Sequence, residues 1–224
     1  MALVSEAPPS QARVLSLIGV GHFLSHFYIL CLPPMLPIFA REFDVGFAIL
    51  GGALTGYAWI GGILQAPAGA ALEKIDARKM LAAGLALNAT AIGLIGLAES
   101  FWQFAALAVI VGVGNAVFHP VDYAIIAAKV TEKHLGRAYS FHTFSGFFGG
   151  GVAPVAMLTL SGIFDWRTAF ILVGIFGVCA AVVILAQGDA LAGEEKANTT
   201  QKEKLGASKS VLYSAPVLLY FLFL

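Results

Sequence analysis

Few residues in this 224-residue chain can do chemistry, and most of them sit where water is scarce. Asp122 is the one carboxylate well inside an apolar stretch, and four of the five histidines (His22, His26, His119 and His142) lie in such stretches too. Asn115, His119 and Asp122 follow i, i+4, i+7 spacing, so a helix carries all three on one stripe. His22 and His26 are likewise one turn apart. An ionisable group in a membrane span costs about 2.5–3.5 kcal/mol on the insertion scale, and ordinarily faces a cavity or a partner. Imidazole titrates near neutral pH, so His26, His119 and Asp122, assisted by His22 and Asn115, form a candidate site for a polar solute or for proton exchange. The alternative is an interhelical hydrogen-bond cluster, with Asp122 near enough to the end of its stretch to reach water. His142, five residues beyond Arg137, reads as interfacial.

Enzymatic readings fare worse. An intramembrane serine protease needs a Gly-x-Ser-Gly nucleophile and a histidine on a later helix. Ser145-Gly146 follows Thr143-Phe144, and no histidine lies beyond His142. His22-x-x-x-His26 is a spacing found in histidine-rich membrane metal centres, but those need more histidine clusters than five residues supply, and His134 lies in a loop. No enzyme, cofactor or metal is expected. Cys31 and Cys179 are too few for a disulfide framework and read as packing residues.

The elements that must hold these residues are membrane spans. The chain is 59% hydrophobic and 12% charged, with a mean hydropathy of +0.86, against about 25% charged residues in a typical soluble domain. Apolar stretches near 14–40, 47–70, 80–98, 101–127, 138–163 and 168–187 are each long enough to cross a bilayer. If the amino terminus is cytoplasmic, Arg13, Lys74, Arg78, Lys79, Lys129, Lys133, Arg137, Lys196, Lys202, Lys204 and Lys209 all lie inside. Only Arg41 and Arg167 remain outside. That split obeys the positive-inside rule and sets the orientation. No basic patch interleaved with aromatics points to nucleic acid.

The organisation follows: a cytoplasmic terminus (1–13), a six-helix bundle (14–187), a charged cytoplasmic linker (188–210) and a final apolar segment (211–224). Fourteen residues make about 21 Å of helix, short of the ~30 Å hydrocarbon core, so the last segment reads as the start of a seventh span. An internal repeat divides the six spans three plus three. Gly19-Val20-Gly21-His22-Phe23-Leu24-Ser25-His26 and Gly112-Val113-Gly114-Asn115-Ala116-Val117-Phe118-His119 agree at four of eight positions, a histidine included. Inverted repeats with polar groups at their interface are a transporter layout. Pro120 is placed to kink the fourth span beside the polar stripe. Gly146, Gly149, Gly150 and Gly151 with Pro154 suit either a hinge or close packing.

On these features the chain resembles the amino-terminal half of a major facilitator superfamily transporter. The loop after the second span reads Gly69-Ala70-Ala71-Leu72-Glu73-Lys74-Ile75-Asp76-Ala77-Arg78, keeping Gly69, Glu73, Lys74 and Arg78 of the family's Gly-x-Leu-Ala-Asp-Arg-x-Gly-Arg-Arg motif. Asp76 replaces its second glycine and Ala77 an arginine. Asp165-Trp166-Arg167-Thr168-Ala169-Phe170 matches the Trp-Arg-x-x-Phe entry to the sixth helix. Val117-Phe118-His119-Pro120 and Gln65-Ala66-Pro67-Ala68-Gly69 are most like the fosmidomycin-resistance permeases. The basic residue that drug–proton antiporters carry on the fourth helix is replaced near Ile110 and Val111.

The resemblance implies an all-α membrane fold of two inverted three-helix repeats, within a twelve-helix protein that works by alternating access at the inner (plasma) membrane. Its expected partners are a small-molecule substrate, membrane lipid and protons, together with the carboxy-terminal half or a second copy. Glu73, Lys74 and Arg78 then form a cytoplasmic charge latch. The alternative is a truncated half-permease that is structural or acts only as a homodimer.

Overall fold

The computed structural model describes residues 10–187 and 190–191. The expected seventh-span start (211–224), nearly all of the linker and most of the amino-terminal segment lie outside the described residues. Within them the chain is helical and holds six helical segments long and apolar enough to cross a membrane. A bilayer core has no water for unpaired backbone groups, which makes helix the obligatory state of such stretches.

Two of the six spans are broken helices. The first consists of α1 (Gln11–Leu30), a 3-10 turn (Pro33–Met35) and α2 (Leu36–Glu42). Pro33, Pro34 and Pro37 each lack an amide hydrogen, and three such gaps in five residues interrupt the ladder. The second and third spans are the continuous helices α3 (Phe47–Ala71) and α4 (Ala77–Ile95). The fourth is again split, into α5 (Phe101–Asn115) and α6 (Phe118–Lys129), because Pro120 has no N–H for the carbonyl of Ala116. The predicted kink is thus a two-residue break at Ala116 and Val117, and His119 is the second residue of α6. The last two spans are α7 (Leu135–Ile163), preceded by a 3-10 turn (Glu132–His134), and α8 (Trp166–Gln187).

Side-chain caps move several boundaries from those expected. Ser10 accepts from the amide of Arg13, Asp76 from Lys79, Ser100 from Gln103 and Asp165 from Thr168. Each cap satisfies one orphan amide and is worth about 0.5–2 kcal/mol. Asp76, the departure from the family motif, therefore starts α4 at Ala77 rather than at residue 80. Cys31 is buried as expected of a packing residue, whereas Cys179 is exposed on the surface of α8.

Three sets of contacts establish the alternation of the spans. Gln11 Nε2 lies 3.4 Å from Thr131 Oγ1, and Arg13 Nη2 donates to the Gln187 carbonyl at 3.1 Å. Arg167, at the opposite end, donates to the carbonyls of Gly96 and Ala98 and to Glu42 Oε1. Residues 11–13, 131 and 187 thus share one end, and residues 42, 96–98 and 167 share the other. Lys74, Lys79, Lys129 and Lys133 fall at the first end.

Part of the packing has the symmetry that the repeat predicts. α1 packs along α7 as α5 packs along α3, and α4 packs along α8, so exchanging the first three spans with the last three leaves these pairs unchanged. The close packing of α4 along α5 has no equal between α8 and α1. At the α4–α8 crossing, Gly93 meets Gly174 so closely that a Cβ on Gly174 would sit 2.5 Å from the Cα of Gly93. An aromatic cluster closes the second end, with Phe39 centred 4.8 Å from Phe104, 5.4 Å from Trp166 and 5.7 Å from Phe170.

A candidate site of four histidines and a buried carboxylate

α1, α6 and α7 converge near mid-bundle, and each brings imidazoles. Glycine makes the approach possible. A Cβ on Gly149 would lie 2.8 Å from the carbonyl carbon of Phe23, and one on Gly146 would lie 2.6 Å from His22 Cε1 and 2.9 Å from His26 Cδ2. The glycine run of α7 is therefore a packing surface against α1, in a helix that runs unbroken through Pro154.

His22 stands at the centre. Its ring stacks on His142 at 3.6 Å with planes 10° apart, and meets His26 edge-on at 4.6 Å and His119 edge-on at 5.3 Å. Its Nδ1 lies 2.8 Å from the backbone carbonyl of His142. A carbonyl only accepts, so Nδ1 carries the hydrogen, and the neutral ring keeps its lone pair on Nε2. That Nε2 is buried and has no hydrogen-bond partner.

His142 is held from its other side. Its Nε2 lies 3.0 Å from Asp122 Oδ2, with side-chain exposures of 1% and 0%. Whichever group is formally charged, one proton lies between these atoms. Asp122 Oδ1 and His142 Nδ1 are buried without partners. Two expectations are corrected here. Asp122 does not reach water, and His142 is an interior residue rather than an interfacial one. Distance from Arg137 along the chain misjudged it because burial depends on what covers a residue. The usable signal was its stripe: His142, Gly146 and Gly149 follow i, i+4, i+7, and a histidine in register with close-packing glycines must be covered by the neighbouring helix.

His26 and His119, the two histidines that the internal repeat makes equivalent, are half-buried. Their ring centres are 6.1 Å apart with planes at 89°. Tyr123 borders the group, centred 5.8 Å from His119 and 5.3 Å from His142. Asn115 does not join these rings. Its Oδ1 is met at 3.5 Å by Nδ2 of the fully buried Asn88 on α4, a residue that the sequence reading missed. The break between α5 and α6 separates Asn115 from the stripe that it would share with His119 on a continuous helix.

The expected charge latch is a separate locus at the end of α3. Glu73 and Lys74 are exposed, Arg78 Nε is 3.8 Å from Asp76 Oδ1, and Gly69 approaches Pro120 of α6.

Comparison with known proteins follows the same lines. The sequence profile of the Major Facilitator Superfamily matches residues 18–224. The chain is 26% identical over 142 residues to a probable L-galactonate transporter of Escherichia coli K12, covering 63% of this chain and 31% of that protein. It is 25% identical over 174 residues to the fosmidomycin resistance protein of the same strain, covering 78% and 42%. With the multi-drug resistance efflux pump PmrA of Streptococcus pneumoniae it shares 30% identity over 211 residues, covering 91% and 51%. The chain thus spans about half, or less, of the length of these relatives. Among solved structures, a bacterial homologue of the human lysosomal transporter Spinster, inward-facing and unoccupied, superposes with a TM-score of 0.75 at 17% identity. That superposition covers 86% of this chain and 47% of that one.

Proposed function

The chain belongs to the major facilitator superfamily, and from that premise we propose that it is the amino-terminal half of a proton-coupled secondary transporter for a small solute or drug. It works by alternating access in the inner (plasma) membrane, with its amino terminus in the cytoplasm. The observation that carries this reading is the group of four imidazoles around a fully buried carboxylate where α1, α6 and α7 meet. Buried groups of this kind are costly in a span and are kept where they act.

In this reading each residue has a role that its geometry supports. His26 and His119, half-buried, face the solute. Asp122 and His142 share a proton 3.0 Å apart, and His22 connects the two layers through its stack on His142. Asn115 braces the break in the fourth span through Asn88. Glu73, Lys74 and Arg78 form the cytoplasmic latch. Sugar acids and drugs are the solutes to try, in line with relatives named as a probable L-galactonate transporter and two resistance proteins.

The test is uptake and efflux in cells expressing the protein from its whole gene. His119→Ala and Asp122→Asn should each slow transport at least tenfold, and Asp122→Asn should also abolish its dependence on a proton gradient. Wild-type rates in both variants at every pH tried would overturn the reading.

A further inference from the structure

We infer that His22, His26 and His119 form a binding site for a borderline divalent transition-metal ion, of which Zn²⁺ is the type. Each ring offers one nitrogen, and the three nitrogens all lie within 4.8 Å of one another. A tetrahedral zinc with Zn–N distances of about 2.0–2.1 Å holds its ligand nitrogens about 3.3 Å apart. Closing the triangle takes at most about 1.5 Å of movement, within reach of side-chain rotation by the half-buried His26 and His119.

Three further observations point to a metal rather than to a hydrogen-bonded cluster. No hydrogen bond joins the three rings among the described residues; they meet edge to face, with the buried Nε2 of His22 and Nδ1 of His119 unpartnered. Buried polar atoms are ordinarily satisfied, and a set of convergent lone pairs needs an electrophile. His22, 3% exposed, is also oriented as metal-bound histidines are. Its far ring nitrogen donates to the His142 carbonyl at 2.8 Å, which fixes the tautomer and aims Nε2 inward. Behind it, His142 is anchored in turn by Asp122. The donor set is selective too: three imidazoles suit zinc, copper or nickel, whereas magnesium and calcium require oxygen ligands. Gly146 provides the space, since any side chain there would displace both His22 and His26.

The sequence alone offers only His22 and His26 at a ligand spacing. The third ligand comes from α6, 93 residues beyond His26, and only the fold supplies it. Three protein ligands leave at least one coordination position open, as in metal sites that exchange a water or an anion. This inference rests on the same histidine cluster as the transport reading, but equilibrium binding tests it without any transport step.

The purified chain in detergent, stripped with a chelator, is titrated with Co²⁺ as a visible probe and then with Zn²⁺. One Co²⁺ per chain should bind with tetrahedral ligand-field absorption and be displaced by Zn²⁺. His26→Gln and His119→Gln should each weaken binding at least tenfold, while His134→Gln, whose ring bonds Gln11 and Thr131 outside the cluster, leaves it unchanged. In the unaltered protein, Zn²⁺ should protect His26 and His119 from diethyl pyrocarbonate, read by mass spectrometry, and leave His134 reactive. Absence of stoichiometric binding, equal weakening by His134→Gln, or equal labelling with and without Zn²⁺ would overturn the metal site. None of these results bears on transport, which fails or stands on the uptake assay.

Discussion

At Asp122 and His142 a structural role can be separated by experiment from the proposed proton-sharing one. Removing the carboxyl (Asp122→Ala) strands His142 Nε2 in a dry interior, an unsatisfied group worth about 1–3 kcal/mol. The amide of Asp122→Asn still offers an acceptor, so its fold should hold while the proposed proton sharing is lost. Thermal denaturation in detergent should show a clear drop for the alanine variant and a near-normal midpoint for asparagine. Equal midpoints would mean that the pair bears no structural load. At this scale the sequence was informative about which residues gather: His22, His26, His119 and Asp122 stood out because charge and imidazole are rare in spans, and they meet in one cluster. It was poor at partnership. Asn88 and His142 belong to the polar interior only through what the tertiary packing lays over them.

Helices in this bundle are started by caps and broken by prolines, and the two devices differ in legibility. Ser10, Asp76, Ser100 and Asp165 sit at their boundaries as short polar residues ahead of apolar runs, a pattern visible in the chain. The breaks were harder to place, because Pro67 and Pro154 are absorbed inside α3 and α7, whereas Pro120 and the cluster Pro33, Pro34 and Pro37 interrupt their spans. Asp165 illustrates the pH consequence of a cap. The Thr168 hydroxyl and amide donate to its carboxylate at 2.6 and 2.9 Å and hold its pKa below the ordinary value. A lowered folded-state pKa contributes stability above the unfolded value of about 3.9, and that contribution disappears as pH falls through the folded value. The midpoint of Asp165→Asn should therefore lie below wild type at neutral pH and converge with it in strong acid. Close packing gives a second prediction for elements. Gly149→Ala pushes a methyl group into the Phe23 backbone, which cannot turn aside as a side chain can. It should cost about 1–3 kcal/mol, whereas Gly151→Ala, with open space around it, should be silent.

For the whole molecule, the charge split and the Gly-Val-Gly repeat were enough to give six spans in two triplets, since bilayer thickness and lipid dryness leave few alternatives. What they could not give was the fastening between triplets. Arg167 supplies it at one end, donating to the Ala98 carbonyl and to Glu42 Oε1 at 2.7 Å each, while its guanidinium lies 4.3 Å from the centre of the Trp166 ring. The ion pair is half-exposed and worth under about 1 kcal/mol, so the charged bonds to buried-end carbonyls dominate. Glu42→Ala should accordingly shift the thermal midpoint little and Arg167→Ala by the equivalent of about 1.5–3 kcal/mol; the reverse order would refute this ranking.

His26 and His119, which the repeat makes equivalent, face each other across the line that exchanges the α1–α7 pair with the α5–α3 pair. A molecule lying on that line meets a different wall on each side. The repeats disagree at four of the eight aligned positions, His22 against Asn115 among them, and farther along Asp122 stands against Ile29. Those mismatches, rather than the shared histidines, give the bundle a sense of left and right.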